Sequence, residues 1–201
     1  MLILKLFRII KEQSLLFALK KIVIWFTRIF SLNLFVKIKA FFYFKSFNLI
    51  LGKNVKILGL SNRIEIGENN SFYSNTIFEF GATSKFKTGN KVILSYGVLI
   101  SCMESIEIGN FVQIGEYTSI RDTTHDYIGD KSTPIMDTPD ISKSIIIGNN
   151  VWIGRGCLIC EGTIIEDGVV VGANSIVKGT LTKDSIYAGV PIRKIKNRIE
   201  F

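Results

Sequence analysis

Apolar and polar residues alternate with a six-residue period through the C-terminal half of the chain. Residues 145–180 divide into six consecutive hexads without an insertion, reading IIIGNN, VWIGRG, CLICEG, TIIEDG, VVVGAN and SIVKGT. The third place is always aliphatic, and the last two places are mostly Gly, Asn or polar. A unit this short has no room for a helix and a turn, so it predicts a short strand and a tight corner, stacked as a solenoid. Glycine and asparagine suit this corner because it needs positive φ.

The same period continues upstream with interruptions. Three stretches keep it, namely residues 64–75, 78–101 and 106–123. We expect register slips at 76–77 and 102–105. The longest interruption is the 21-residue stretch 124–144, after which the strict hexads begin. Insertions in a solenoid commonly lie on its binding face, so this stretch is the predicted active-site loop.

The hexads, the run IGNNVWIG at 147–154 and the ending YAGVPIRKIK at 187–196 resemble the hexapeptide-repeat acyltransferases. Within that family the chain is most similar to the maltose and galactoside acetyltransferases and to enzymes that O-acetylate capsule, O-antigen and sialic acid polymers. The resemblance covers residues 52–198. It implies a mainly β fold, a left-handed parallel β-helix with three hexads per coil, and a homotrimer with active sites between subunits. Parallel crossovers are normally right-handed, so the left hand rests on the family alone.

Charge divides the chain into parts. The formal net charge is +8, and residues 1–50 hold nine Lys or Arg against one acid, while residues 51–201 hold sixteen of each. We therefore expect a basic, apolar and α-helical segment at 1–50, the β-helix at 51–185, and a basic tail with a short C-terminal helix at 186–201.

The N-terminal segment mixes its bases with aromatic residues. Its longest charge-free run is Ile29–Val36, whereas a membrane-spanning helix needs about 20 apolar residues. No signal peptide is expected, because no small-residue cleavage site follows a clean apolar core. Short basic and aromatic helices suit peripheral binding to an anionic membrane, and the alternative is that they cap the solenoid. Nucleic-acid binding is disfavoured, because the bases are diluted among hydrophobic residues.

His125 is the only histidine, and it lies in IRDTTHDY just past the last hexad before the loop. Acyl transfer to a hydroxyl needs a base that titrates near neutrality, which imidazole supplies. The resembled enzymes carry their catalytic histidine here, so the resemblance implies that His125 is the general base. It would deprotonate a sugar hydroxyl that attacks acetyl-CoA, with the oxyanion held by a backbone N–H near Arg155. Asp122 and Asp126 flank the histidine, and each is either its orienter or a solvated loop carboxylate.

Trp152 and Ser95 are candidates for lining the acceptor side. Trp152 is expected to point outward, opposite Val151 and Ile153, where a large aromatic side chain lines an inter-subunit cleft or packs in the trimer. In the resembled polysaccharide acetyltransferases a tryptophan here borders the active site. Ser95 stands where the galactoside enzymes place an acceptor-contacting asparagine, and this departure leaves the acceptor open.

The resemblance places acetyl-CoA along the last coils and implies no metal. The positions that match the family's coenzyme contacts are Arg155, Ala173, Lys178, Gly179, Arg193 and Lys196. Gly179 departs from the family by replacing a lysine. The two tail bases suit the phosphates of the coenzyme electrostatically, although tail bases are also common on plain solvated surface.

The three cysteines are not expected to carry chemistry. Cys160 falls at a corner and Cys157 at the start of a strand, so their CxxC spacing follows from the period. An odd cysteine number without a signal peptide favours a reducing cytoplasm. If residues 1–50 bind a membrane, we expect them to do so at its inner face. A γ-type carbonic anhydrase is excluded, because it needs three zinc-binding histidines.

The sequence therefore predicts an acetyl-CoA-dependent O-acetyltransferase that modifies a sugar of a surface polysaccharide or its precursor. Two alternatives stay open. An N-acetyltransferase of a nucleotide-linked amino sugar shares the fold and the coenzyme. A membrane-associated β-helical scaffold without activity would need neither His125 nor Trp152.

Overall fold

The computed structural model describes residues 43–44, 48–59, 61–129 and 131–198. Within them the chain forms a parallel β-solenoid of about six turns, in which each full turn adds one short strand to each of three sheets. The mainly β solenoid predicted from the hexads is confirmed. Its left-handed course stays an expectation from the family resemblance.

The strands of the three sheets follow one another in strict rotation. The first sheet contains β1 (Ile50–Leu51), β4 (Ser71–Phe72), β7 (Ile93–Leu94), β10 (Gln113–Ile114), β15 (Trp152–Ile153), β18 (Val170–Val171), β21 (Ser185–Ala188) and β22 (Arg193–Asn197). The second contains β2 (Lys56–Leu58), β5 (Ile77–Phe80), β8 (Leu99–Cys102), β11 (Ser119–Arg121), β16 (Leu158–Ile159) and β19 (Ile176–Val177). The third contains β3 (Arg63–Ile66), β6 (Lys85–Thr88), β9 (Ser105–Ile108), β14 (Ile145–Ile147), β17 (Ile164–Ile165) and β20 (Thr180–Leu181).

Side chains at the first and third places of each hexad point into the solenoid, and those at the second place point out, as the two-residue period of a strand requires. The third-place residues are at most 2% exposed, and they are Ile147, Ile153, Ile159, Ile165, Val171 and Val177. The core is therefore a stack of aliphatic side chains, and the second place is free to present other chemistry.

In five of the six hexads the corner after the strand turns at the sixth place, and in the last it turns at Gly179. Asn150, Gly156, Gly162, Gly168 and Asn174 all have positive φ, between 54° and 73°. This confirms the predicted use of Gly and Asn, since other residues reach this region only with strain.

Glycine is needed at the fourth place of the hexad for a different reason, which is that the backbones of adjacent coils pack closely there. A Cβ on Gly154 would lie 2.6 Å from the backbone N of Ala173, and one on Gly115 would lie 2.5 Å from the backbone N of Arg155. Since backbone cannot yield as a flexible side chain can, these places exclude a side chain.

All insertions in the repeat fall at one corner, between the second and third sheets. Equivalent residues of the third and first sheets, and of the first and second, stay six positions apart, as Ile147, Ile153 and Ile159 show. The number of residues per coil can be read along the second sheet, where each strand pairs with the equivalent strand of the next coil. The paired residues are Ile57, Phe78, Ile100, Ile120, Ile159 and Val177, and the successive spacings are 21, 22, 20, 39 and 18 residues. The coil from Ile120 to Ile159 is 21 residues longer than a regular 18-residue coil, and this excess equals the length of the interruption at 124–144.

The slip expected at 102–105 is confirmed, because it lies between β8 and β9. The slip expected at 76–77 is wrong. The extra residues lie at 81–84, between β5 and β6, because the first-to-second-sheet corner at 73–76 keeps the normal length. A shift by two residues leaves the same side chains pointing inward, so the apolar pattern could not locate it.

Aromatic rings fill the N-terminal end of the core. Tyr43 and Phe44 are helical, and Phe44 packs edge-on against Phe72 and Phe78, with ring centroids 5.6 and 5.3 Å apart. Phe44 is almost fully buried, so it closes this end of the solenoid. Most of the helical segment expected at 1–50, and with it the membrane contact, lies outside the described residues. Among the described residues, no helix is long and apolar enough to span a membrane.

The short helix expected in the C-terminal tail is wrong. Residues Arg193–Asn197 form strand β22, which runs antiparallel to β21. The last coil has no further coil to pair with its backbone groups, and a returning strand satisfies them where a helix would not. The basic side chains of β22 then lie on an exposed edge, where charge opposes further strand pairing.

Candidate functional site

The 124–144 interruption is built as a hairpin that projects from the corner between the second and third sheets. Strands β12 (Thr123–His125) and β13 (Asp140–Ser142) pair antiparallel, and a 3₁₀ turn at Ile135–Asp137 lies near its tip. The Lys143 N–H donates to Asp122 O at 2.8 Å, and the Gly162 N–H donates to Lys143 O at 2.9 Å. The base of the hairpin is therefore fixed to the coil on its C-terminal side.

The hairpin places His125 opposite Asp140. In this register the Nδ1 of His125 lies 3.1 Å from the Asp140 Oδ1, and the two side chains are 58% and 60% exposed. A carboxylate on Nδ1 fixes the orientation of the ring and leaves Nε2 to exchange a proton with a substrate. The sequence did not indicate Asp140, since it lies 15 positions from the histidine and only the strand pairing brings the two together.

Asp122 does not hold His125, and it is not a solvated loop carboxylate. It is fully buried, and its carboxylate accepts the backbone N–H groups of Met103, Glu104 and Ser105 at 2.8–2.9 Å. The slip at 102–105 turns these donors away from the strand ladder, and the Asp122 carboxylate satisfies them. Its role is structural, at the root of the hairpin.

Asp126 also does not contact the histidine. Its Oδ1 accepts the backbone N–H groups of Ile128 at 3.1 Å and Gly129 at 3.0 Å, which is an Asx turn. Neither aspartate therefore orients His125 here. For Asp126 the alternative of a loop carboxylate agrees with the structure, and Asp140 lies against the imidazole Nδ1 instead.

Arg155, Ala173 and Ser95 lie along another corner, between the first and second sheets, with Ser95 two coils before Arg155. Arg155 and Ala173 occupy equivalent places in adjacent coils, and the Asn174 N–H donates to Arg155 O at 2.8 Å. The Arg155 Nε lies 3.4 Å from the Glu116 Oε1. Within the described chain the Arg155 backbone N–H makes no hydrogen bond, so it is available to a negatively charged oxygen.

Trp152 points outward from β15, as predicted. It is 57% exposed and pairs with Gln113 and Val170 in the first sheet. Its neighbour Ile153 is fully buried, so the alternation that places the indole on the surface is that of the strand itself.

Lys178 and Gly179 lie on the same corner as the hairpin. Lys178 forms an ion pair with Glu161, and this hydrogen bond raises the pKa of the Lys178 ammonium. Gly179 has a φ of 91°, and a Cβ there would meet nothing within 4 Å. The glycine that replaces the family's lysine thus leaves open space beside a cation.

The tail bases divide into two kinds. Arg193 and Lys196 lie exposed on β22, at the C-terminal end of the solenoid. Arg198 instead donates from Nη1 to Gly168 O at 3.0 Å, which fixes the tail to the last coils.

The cysteines are shielded. Burial, with a contribution from the Asp122 carboxylate, raises the pKa of the Cys102 thiol to about 12. Burial also raises the pKa of the thiols of Cys157 and Cys160. Cys157 lies in the core and Cys160 at a corner, as the period predicts.

One chain does not bring the candidate residues into a single site. His125, Lys178 and Gly179 lie at the corner between the second and third sheets, and Arg155 lies at the corner between the first and second. The width of the second sheet separates them. A site that uses both corners therefore needs the corner of one chain beside the other corner of a neighbouring chain.

Comparison with known proteins identifies acetyltransferases as relatives of this chain. The family described as bacterial transferase hexapeptide (six repeats) matches residues 144–179. The protein named "Putative lipopolysaccharide biosynthesis O-acetyl transferase WbbJ" of Escherichia coli K12 is 35% identical over 142 residues, which are 66% of this chain and 71% of that protein. Galactoside O-acetyltransferase of the same organism is 31% identical over 65% of this chain, which spans 62% of that enzyme.

Among solved structures, a variant of AntD is similar along most of its length. AntD is an N-acyltransferase from Bacillus cereus, and its structure is a complex with dTDP and coenzyme A. The match has a TM-score of 0.65 and 28% identity, and it covers 76% of this chain and 82% of AntD. The described solenoid, the matched hexads and these relatives show that the chain belongs to the bacterial hexapeptide transferase family and is an acetyltransferase of that family.

Proposed function

We propose that the protein transfers the acetyl group of acetyl-CoA to a sugar hydroxyl of a surface polysaccharide or its precursor, with His125 as the general base. The observation that carries this proposal is the pairing of His125 with Asp140 at the base of the inserted hairpin, 3.1 Å apart. A histidine whose Nδ1 is held by a carboxylate presents Nε2 to the substrate in a fixed orientation.

The reaction runs in one transfer step through a tetrahedral intermediate. Nε2 of His125 takes the proton of the sugar hydroxyl while its oxygen forms a bond to the thioester carbon. The Arg155 backbone N–H stabilises the oxyanion. The C–S bond then breaks, and the coenzyme A sulfur leaves with the proton from the imidazolium. The products are an acetyl ester and the free thiol, and no cysteine takes part.

The coenzyme is a substrate whose phosphates favour the basic end of the solenoid. Arg193 and Lys196 supply positive charge there. The open space at Gly179 allows a close approach beside Lys178, whose charge is paired with Glu161. Since His125 and Arg155 lie at different corners, a complete site requires two neighbouring chains, which fits the homotrimer implied by the resemblance.

Transfer to an amine is the second candidate. The similarity to AntD favours it, because that protein is an N-acyltransferase crystallised with dTDP and coenzyme A. The relatives WbbJ and galactoside O-acetyltransferase carry names of O-acetyl transfer and favour the hydroxyl. Both reactions use the same base and the same donor.

We also propose that residues 1–50 bind the enzyme to a membrane. Their nine bases and many aromatic residues would hold the enzyme at the cytoplasmic face of the inner membrane, near lipid-linked acceptors. Deletion of residues 1–42, which keeps the buried Phe44 in the core, should then move the protein from anionic vesicles to the supernatant in a sedimentation assay. Unchanged sedimentation would contradict the membrane contact and leave these residues as a cap.

The test of the reaction uses acetyl-CoA with a panel of sugars, amino sugars and nucleotide-linked amino sugars. Coenzyme A release and the mass of the product identify the acceptor. Mild alkali then separates the two candidates, because it hydrolyses an acetyl ester and leaves an amide intact. An alkali-labile product supports O-transfer and an alkali-stable product supports the amine. Coenzyme binding without any transfer would mean that the acceptor is missing from the panel, and the absence of both binding and transfer would favour the scaffold alternative.

A further inference from the structure

We infer that Tyr73, Tyr96 and Tyr117 form a platform that binds an uncharged stretch of the acceptor's sugar chain. We call these three residues the tyrosine ladder. The inference rests on the proposed function, since it names the part of the acceptor that the enzyme holds away from the reacting hydroxyl.

The ladder climbs one corner of the solenoid over three consecutive coils. Tyr73 follows β4, Tyr96 follows β7 and Tyr117 follows β10, all between the first and second sheets. Tyr73, Tyr96 and Tyr117 lie one, two and three residues after the last residue of their strands. The rings therefore cross the corner on a diagonal. The next coil at this corner presents Arg155, and the Gly156 N–H donates to Glu116 O at 2.8 Å. The ladder therefore leads directly to the proposed oxyanion site.

The rings are packed on one another and on the backbone. The centroids of Tyr73 and Tyr96 lie 5.3 Å apart with their planes tilted by 54°. The ring of Tyr117 lies over Gly97, where any Cβ would come within 2.8 Å of two ring atoms. A glycine at that position thus makes room for the third ring, which lies on the backbone next to Tyr96.

This surface is open to solvent at some energetic cost. Tyr96 is 54% exposed and Tyr117 is 66% exposed. Tyr117 has a φ of 60°, at the place where this corner otherwise has Asn or Gly, namely Asn54, Asn75, Gly97, Gly156 and Asn174. A tyrosine in the left-handed region costs about 1 kcal/mol relative to those residues. Exposure and positive φ alone do not indicate a function, because Phe111 at another corner shares both. Tyr117 differs in its place, since it stands in line with Tyr73 and Tyr96 and next to Arg155.

The chemistry of the corner fits a glycan. Exposed tyrosine rings offer flat apolar faces to the C–H faces of sugars while their hydroxyls stay hydrated. Ser74 and Ser95 add hydroxyl groups beside the rings, and Ser95 is the residue already expected on the acceptor side. The charges of Glu116 and Arg155 neutralise each other across 3.4 Å, which favours an uncharged chain.

A second copy of this chain fits other surfaces better. Partly exposed aliphatic residues stand in the second and third sheets, where flat apolar faces suit subunit packing, and these are Ile146, Leu158, Ile164 and Ile176. The ladder is instead a ridge of rings and polar groups. We therefore assign it to the acceptor, and contact between copies becomes an outcome of the test.

The test measures binding by the full chain without acetyl-CoA, using saturation-transfer NMR. The probes are maltose and maltopentaose, and cellobiose and cellopentaose. Three rings in a row predict that a pentasaccharide binds more tightly than its disaccharide. The double variant Tyr96→Ala with Tyr117→Asn should bind the pentasaccharide about tenfold more weakly. Asparagine is chosen because Asn75 and Asn174 hold the same backbone conformation at this corner.

Phe111→Asn is the matched control. Phe111 is also exposed with a φ of 59°, but it lies at the corner between the third and first sheets. Its loss should leave glycan binding unchanged. Equal losses in both variants, unchanged binding in the tyrosine variant, no binding of any probe, or a change of assembly mass in the tyrosine variant would each overturn the platform. Glycan binding without acetyl transfer would keep the platform and contradict the proposed reaction.

Discussion

The Asp140 Oδ1 lies 3.1 Å from the Nδ1 of His125, across a hairpin that interrupts the repeat. The two residues come from the two strands of one insertion, and the insertion is anchored at both ends to the solenoid. A carboxylate and an imidazole in this arrangement suit proton transfer, because one nitrogen is oriented and the other is left to the substrate.

Replacement of Asp140 by Asn should lower kcat about tenfold, with the KM for acetyl-CoA unchanged, because the ring loses its orientation but the coenzyme contacts remain. Asp140→Glu should restore part of the rate. Asp126→Asn is the control, since among the described residues the Asp126 carboxylate accepts hydrogen bonds only from Ile128 and Gly129 of its own turn. A rise in KM with kcat preserved would show that Asp140 contributes to binding and does not position the base.

Loss of the Asp122 carboxylate should destabilise the fold. Asp122→Ala leaves the N–H groups of Met103, Glu104 and Ser105 without their acceptor, which should cost about 3 kcal/mol of unfolding free energy. Urea unfolding measures this, with Asp126→Ala as a comparison that should lose about 1 kcal/mol or less. Similar losses in the two variants would mean that the Asp122 carboxylate does not stabilise the slip.

The architecture of the repeat was predictable from residues 145–180, because two-residue alternation and Gly or Asn at the corners are local properties. The position of His125 at the root of the interruption was predictable as well, whereas its role as the base rests on the family resemblance and stays a prediction. Asp140 was not, since its position depends on a strand pairing across the loop. The tail strand β22 was missed for a similar reason. It forms because the last coil leaves the edge of β21 unpaired, and the four bases among residues 193–198 do not indicate that edge.

The fourth and sixth places of the hexad should respond differently to substitution. Gly154→Ala pushes a Cβ to 2.6 Å from the backbone N of Ala173, so we expect a loss of about 2 kcal/mol or more in unfolding free energy. Gly162→Asn should cost about 1 kcal/mol or less, because asparagine tolerates its φ of 72° and the nearest atoms belong to the flexible Lys143 side chain. The reverse order of stabilities would contradict the coil-stacking explanation.

The thiol of Cys102 should be inert in the folded protein. Its pKa is raised from 9.0 to about 12, so at pH 8 its thiolate is about a thousandfold scarcer than in the unfolded chain. Iodoacetamide should therefore label Cys102 only after unfolding, which peptide mass spectrometry can follow. The folded state keeps this proton to higher pH than the unfolded chain does, so stability should fall as the pH rises from 9.0 toward 12. Rapid labelling of Cys102 under native conditions would show that the hairpin root opens readily.

The measurement that tests the account most directly is coenzyme A release by His125→Ala, with saturating acetyl-CoA and the acceptor identified from the panel. Because the imidazole is 58% exposed, the variant should unfold at the same temperature as the natural protein. The account predicts that kcat falls about a hundredfold or more at this unchanged stability. A rate within about threefold of the natural protein would show that His125 is not the base.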